Sequence, residues 1–211
     1  MLGTEDLWLF ISAGIALNLV PGQDFVFVAS RSASQGFEAG SVAALGIGAG
    51  TLGHIFAAAF GISALLAASE NAYLLIKVLG GLYLLYMGLS MLFKRTVPAN
   101  SVFVSLSTSS NKTIFYQGFL TNALNPKVAL FFIAFVPQFI AADSSNVSLS
   151  FLFLGFLFSF NGLIWWLIVG WFSDNISAKL KHQAHLKRWS NLLAGGLFSY
   201  FGISLLMSSN H

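Results

Sequence analysis

The sequence predicts an all-α polytopic membrane protein with six transmembrane helices, and three observations carry that reading. Hydrophobic types make up 56% of the 211 residues and charged types 8%, at a mean hydropathy of +0.79. A soluble domain averages about 25% charged residues, which it needs to cover its surface. Ten basic and seven acidic side chains cannot do that for a chain carrying 22 Phe. Second, the apolar residues gather into six runs long enough to cross a bilayer as helices, which takes about 17–25 residues. Third, most basic residues fall in short segments between those runs. There they act as topology signals, so the net charge of +3 is not a nucleic-acid footprint.

The first run, Leu7–Ser30, follows Glu5 and Asp6 where a signal peptide would be basic, and it outruns a signal-peptide core. It is expected to remain as a span. It contains the break Asn18-Leu-Val-Pro21-Gly22-Gln23-Asp24. The second run, Gly40–Ala68, carries His54 near its middle. Its letters Gly48-Ala-Gly50-Thr-Leu-Gly53 match a dinucleotide motif, but no strand precedes them. Gly46, Gly50 and Gly53, with Ala43 and Ala57, are expected instead to form one small face for close helix packing. The third run is Ala72–Phe93, with Lys77 near enough to its start to snorkel. The fourth, Gln117–Ala141, contains a second break, Asn122-Ala-Leu-Asn125-Pro126-Lys127. Leu149–Phe172 and Leu192–Met207 complete the set.

Orientation follows from the Lys and Arg count. Arg31, Lys94, Arg95, Lys112, Lys179, Lys181, Lys187 and Arg188 lie in alternate loops, while the opposite segments hold Glu5, Asp6, Glu70 and Asp143. The positive-inside rule places the basic loops in the cytoplasm and both termini outside, in the periplasm if the membrane is a bacterial inner membrane. Residues 96–116, rich in Ser, Thr and Asn, read as a cytoplasmic connection between a three-helix half at 1–95 and another at 117–211. An odd number of spans per half inverts the second half relative to the first. Breaks at corresponding places in the two halves point to an inverted repeat with its binding site at those breaks.

The candidate site residues come from the same breaks. Pro21 and Pro126 each remove a backbone donor and free carbonyls, and Gly22 lets another backbone approach. Such broken backbone survives in a membrane only when it is buried in protein or lines a wet cavity. Asp24 and Lys127 are ionisable groups inside spans, costly there and therefore functional candidates by default. They also suit a structural ion pair. His54 reads either as a packing residue or as a proton carrier. With no Cys, and with His182-Gln-Ala-His185 flanked by Lys181 and Lys187, no metal site is expected. Neither a P-loop nor a metalloprotease or nucleophile motif is present, so no cofactor and no enzymatic activity are expected.

The order Leu19-Val-Pro21-Gly22-Gln23-Asp24, Arg31-Ser-Ala-Ser-Gln-Gly36 and Ala44-Leu-Gly46-Ile-Gly48 resembles the LysE/RhtB family of amino-acid exporters. Gly80-Gly-Leu-Tyr83-Leu-Leu-Tyr86-Met-Gly88 looks like its third span. Gly118-Phe-Leu-Thr-Asn122-Ala-Leu-Asn125-Pro126-Lys127, followed by Phe135-Val-Pro137-Gln138-Phe139, is similar to its fourth. The family usually reads Pro-Gly-Pro at the first break, where this chain has Gln23. Many relatives carry an acid near the position of Thr51.

The resemblance implies efflux of a small amino acid from the cytoplasm, across the inner membrane, driven by proton antiport. Neutral substrates such as homoserine, threonine or leucine fit better than cationic ones, because few acids lie inside the spans. In that reading Lys127 receives the substrate carboxylate, and Asp24 with the carbonyls freed by Pro21 receives the ammonium. Asn18, Gln23 and Asn125 add neutral hydrogen bonds. Two other readings stay open: export of a metal ion or other small solute, and an intramembrane enzyme or helper subunit. The abundant small residues would permit a homodimer without demanding one.

Overall fold

A computed structural model describes residues 3–62, 64, 70–93, 108–141 and 143–176, with helical positions scattered over 192–207. Among the described residues the protein is all-helical apart from one isolated bridge, Thr4 with Ile140. The basic residues Lys94, Arg95, Lys179, Lys181, Lys187 and Arg188, the His182 and His185 pair, and most of the 96–116 connection lie outside the described residues, as does the side chain of Lys77.

Helix α1 (Leu7–Leu19) stops where Val20 turns extended, at φ −70 and ψ 116, ahead of Pro21. Helix α2 (Gln23–Phe56) restarts after Gly22 and runs on as a π-helical turn, Ala57–Ile62. Counted as one rod, residues 23–61 span 39 residues, or about 58 Å at 1.5 Å per residue, nearly twice a hydrocarbon core of about 30 Å. The rod is broken. Gly36 sits at φ 87 and ψ 172, a backbone region that essentially only glycine occupies. A Cβ placed on Gly40 would lie 2.6 Å from Cβ of Ser32, so the arm after Gly36 folds back against the arm before it. The turn expected between the first two spans is therefore a one-residue reversal.

Helix α3 (Glu70–Phe93) precedes α4 (Asn111–Ala123). Helix α4 begins earlier than the Gln117 expected for the fourth run, because Ser110 caps it. The Ser110 Oγ accepts from the Thr113 N–H at 3.2 Å, satisfying a donor that a helix start leaves open. At the Asn-Pro break the chain bends by 47° into α5 (Pro126–Leu130), a π-helical turn (Phe131–Phe135) and a 3-10 turn (Val136–Phe139). Helix α6 (Val147–Ile176) follows. By length and apolarity two stretches are long enough to cross a membrane, 23–61 (which contains the reversal at Gly36) and 147–175, and the bent pair at 111–139 makes a third only if it is a single span.

The surface agrees with lipid contact. Trp8 is 84% exposed, Phe93 80% and Leu124 76%, within a wide set of exposed aliphatic and aromatic side chains. A water-soluble monomer rarely exposes so many large apolar side chains.

Helix α2 packs chiefly on α4 and α6. The α2–α4 contact is backbone against backbone: a Cβ on Gly50 would stand 2.8 Å from the Phe119 carbonyl oxygen, and one on Gly118 2.7 Å from that of Ala43. Gly46 is equally closed, against Phe115. The expected small face is thus real for Ala43, Gly46 and Gly50 but does not extend to Gly53 and Ala57. Gly53 has open space around it and Ala57 is exposed, because the contact ends where α4 reaches its break. Two apolar clusters result. One is built on Phe10, Phe131, Phe132, Phe135 and Phe158; the other uses small residues such as Ala39, Ala43 and Ala44, closed by Trp166.

Candidate functional site at the two helix breaks

The polar residues of the two breaks meet at the seam between those clusters. Asp24 lies in the first turn of α2, where the positive end of the helix dipole favours an anion, and it is 6% exposed. Its Oδ2 accepts two hydrogen bonds from the second break, from Asn122 Nδ2 at 3.0 Å and Asn125 Nδ2 at 3.1 Å. Its Oδ1 is buried without a hydrogen-bond partner.

Asn125 works in two directions. Its Oδ1 accepts from the Lys127 backbone N–H at 3.0 Å, capping α5, while its Nδ2 holds Asp24. Pro126 fits the first helical position, where no donor is needed. Asn122 is the hub: besides Asp24, its Oδ1 lies 3.1 Å from the Thr51 hydroxyl, and its backbone carbonyl lies 3.0 Å from His54 Nε2. The close approach at Gly50 is what brings α2 within reach of Asn122.

Lys127 reaches the other way. Its Nζ donates to the Leu17 carbonyl at 2.7 Å and the Val20 carbonyl at 3.2 Å. These oxygens lie at the end of α1 that Pro21 leaves open, where a cation also meets the negative end of the helix dipole. Gly22 lies beside this contact, and a Cβ there would stand 3.8 Å from Nζ, an ordinary packing distance. In place of a direct Asp24–Lys127 ion pair, the structure shows an exchange between the two breaks. Each charge is held by polar groups at the opposite break.

The other expected residues separate. Asn18, 7% exposed, joins Asp24 in one cavity, and its Nδ2 is buried without a partner. His54 stacks on Phe132 with ring centroids 6.3 Å apart and is tied to Asn122 rather than to Asp24 itself. Gln23 is exposed and donates to the Thr121 carbonyl at 2.9 Å, so it braces the breaks from outside the cavity. The cavity is also lined by Thr51, Asn122, Val128 and, from α6, Phe158, Leu163 and Trp166. Its volume is about 10 Å³, room for about one water and not for an amino acid. A larger solute enters only if the helices part.

Sequence reasoning passed over Asn122 as a ligand of Asp24 and all of the α6 wall. Asn122 had a signal, one helical turn before Pro126; the α6 residues had none. It read Arg31 as a topology signal and not as a bridge between helices. The side chain is buried, and its guanidinium donates to Gln35 Oε1 at 3.0 Å and Gln117 Oε1 at 2.7 Å, joining α2 to α4.

Residues 15–209 match the family model described as LysE type translocator. The chain is 30% identical over 206 residues to a leucine efflux protein of Enterobacter sp. (strain 638), covering 96% of each chain. It is 28% identical to a leucine efflux protein of Salmonella choleraesuis, over 96% of this chain and 95% of that one. An uncharacterised membrane protein of Bacillus subtilis is 27% identical over 97% of this chain and all of its own. No solved structure matches the chain.

Proposed function

The chain belongs to the LysE family of translocators, which are membrane transporters and not enzymes, and from that premise we propose that it exports small neutral amino acids by proton antiport. One observation carries the reading. A buried carboxylate, Asp24, keeps one unpartnered oxygen in a cavity where two broken helices meet. A membrane-buried acid of that kind can take either a proton or a substrate ammonium, and alternation between the two is what antiport needs. The apolar α6 wall of Phe158, Leu163 and Trp166 favours an uncharged side chain, and the names of the leucine efflux relatives point the same way.

In this proposal the pathway comprises Asp24, Asn18, Asn125 and Lys127, with His54 and Gln23 in supporting positions. Six spans form two inverted three-helix halves, 1–95 and 117–211, joined by a cytoplasmic connection at 96–116. Both termini face the outside of the inner membrane, and pairing of two chains is compatible with the exposed apolar surface. The inverted arrangement is supported by the reciprocity of the breaks, each sending its charged residue to the other.

The test is a proteoliposome screen of radiolabelled neutral amino acids with and without an imposed pH gradient. Gradient-dependent flux of leucine or a similar amino acid is expected. Absence of such flux for every amino acid in verified, inserted protein would overturn the proposal. Topology has its own check: an alkaline phosphatase fusion after His211 should be active and one within residues 96–112 inactive. The reverse pattern would overturn the orientation.

A further inference from the structure

Two polar atoms buried in one cavity have no hydrogen-bond partner, and their chemistry is opposite: Asp24 Oδ1 accepts and Asn18 Nδ2 donates. Both side chains are more than nine-tenths buried, at 6% and 7% exposure. Leaving such groups unpaired away from water costs free energy, so an orphaned acceptor beside an orphaned donor describes the shape of what should bind between them. An α-amino acid carries one of each complement. Its ammonium donates and its carboxylate accepts.

We propose that Asn18 receives the substrate carboxylate through its side-chain N–H while Asp24 Oδ1 receives the ammonium, so that these two residues clasp the amino-acid backbone. The inference rests on the proposed amino-acid export and deepens it by assigning the carboxylate. It moves that role away from Lys127, whose ammonium is already engaged by the Leu17 and Val20 carbonyls. Lys127 is then a positioning residue: it holds the open end of α1, and Asn18 lies on the last turn of that helix.

Two further observations fit. Asn18 lines both the Asp24 cavity and a larger open groove of about 160 Å³ between α1 and α6, formed with Ile15, Asn161 and Trp165. Its amide thus stands between that surface groove and the buried carboxylate. Opposite it stands Gly162, whose missing side chain leaves space; a Cβ there would lie 3.5 Å from Asn18 Nδ2. The substrate side chain then falls against Phe158, Leu163 and Trp166.

The test uses full-length protein in proteoliposomes and three probes of one size: leucine, leucinamide and 4-methylpentanoate. The amide lacks the carboxylate and the acid lacks the ammonium. In wild type each one-ended analogue should compete with labelled leucine about tenfold or more weakly than leucine, the loss expected for a hydrogen bond to a charged group. Asn18→Ser and Asn18→Ala should raise the KM for leucine by about tenfold and flatten the preference for leucine over leucinamide. Asn18→Asp should reverse that preference. Lys127→Arg should lower the rate without changing the leucine-to-leucinamide ratio. If wild type carries leucine but inserted Asn18→Ser retains both its KM and that ratio, the carboxylate assignment is wrong and the export reading stands. Wild type that carries no amino acid would instead remove the export reading itself. Equal competition by all three probes in wild type would overturn the clasp without any variant.

Discussion

The two helix breaks use the same materials, a proline beside a polar cluster and a charged side chain, yet they are closed by different means. The second break supports itself. Asn125 caps the restarted helix from within the break, and Pro126 occupies a position that needs no donor. The first break has no such local cap. Gly22 makes no side-chain bond to the start of α2, and apart from one long bond of 3.3 Å from the Val20 N–H to the Leu17 carbonyl, the carbonyls at the end of α1 are closed by Lys127, from the second break. One break is a fixed corner and the other a joint that depends on its partner. An alternating carrier needs at least one junction whose closure can be exchanged, and the first break has that character.

Removing the borrowed cap should have the largest effect. Lys127→Met takes the ammonium from the Val20 carbonyl and leaves the Leu17 carbonyl only the Val20 N–H at 3.3 Å, at about 1–3 kcal/mol for a buried group left unsatisfied. Thermal unfolding in detergent should show a lowered midpoint, and export should be abolished. Lys127→Arg should keep much of the stability, since the charge remains, yet transport poorly because a planar fork replaces a compact ammonium. A Met variant as stable and active as wild type would erase the distinction between the breaks.

The approach that brings the breaks together can be disturbed separately. Gly50→Ala forces a Cβ to 2.8 Å from the Phe119 carbonyl oxygen and 2.9 Å from the Asn122 Cβ. Overpacking of that sort costs about 1–3 kcal/mol, and it should displace Asn122 from Asp24 as well. Gly53→Ala, one turn further along and in open space, should be neutral or stabilising by up to about 1 kcal/mol. Equal effects in a thermal-shift comparison would contradict the packing assigned to that face.

Asn125→Ala should cost about 0.5–2 kcal/mol as a lost helix cap. Asn125→Asp preserves the capping oxygen but sets a second carboxyl group against Asp24. Repulsion between the two buried carboxyl groups offsets the retained cap, so the Asp variant should be no more stable than the Ala variant and should export no better. Among the polar residues around the breaks, His54→Ala should have the smallest effect. It loses one hydrogen bond to the Asn122 carbonyl, worth about 0.5–1.5 kcal/mol, and gradient-driven export should persist.

The breaks were legible in the sequence because their grammar is local: proline, glycine and asparagine beside a charge, placed inside apolar runs. Asn125 as a neutral hydrogen-bond partner at the break and Asp24 as an acid inside a span follow from that grammar. What each charge touches did not, since Lys127 and the Leu17 carbonyl are far apart in the chain and only the packing of the halves joins them. The reversal at Gly36 was masked for the same reason that makes it compact, a single glycine in place of a loop. The α6 wall left no trace, because Phe158, Leu163 and Trp166 sit among residues equally apolar on every side of the helix, and periodicity cannot single out a face there.

The central claim is that the unpartnered oxygen of Asp24 alternates between proton and substrate. Asp24→Asn tests it most directly, because the amide keeps the shape and removes the titratable charge. In proteoliposomes loaded with unlabelled leucine, counterflow of labelled leucine without a gradient should survive at reduced rate in this variant. Uptake driven by a pH gradient should be abolished, while His54→Ala retains it. Gradient-driven uptake that persists in Asp24→Asn and disappears in His54→Ala would contradict the account.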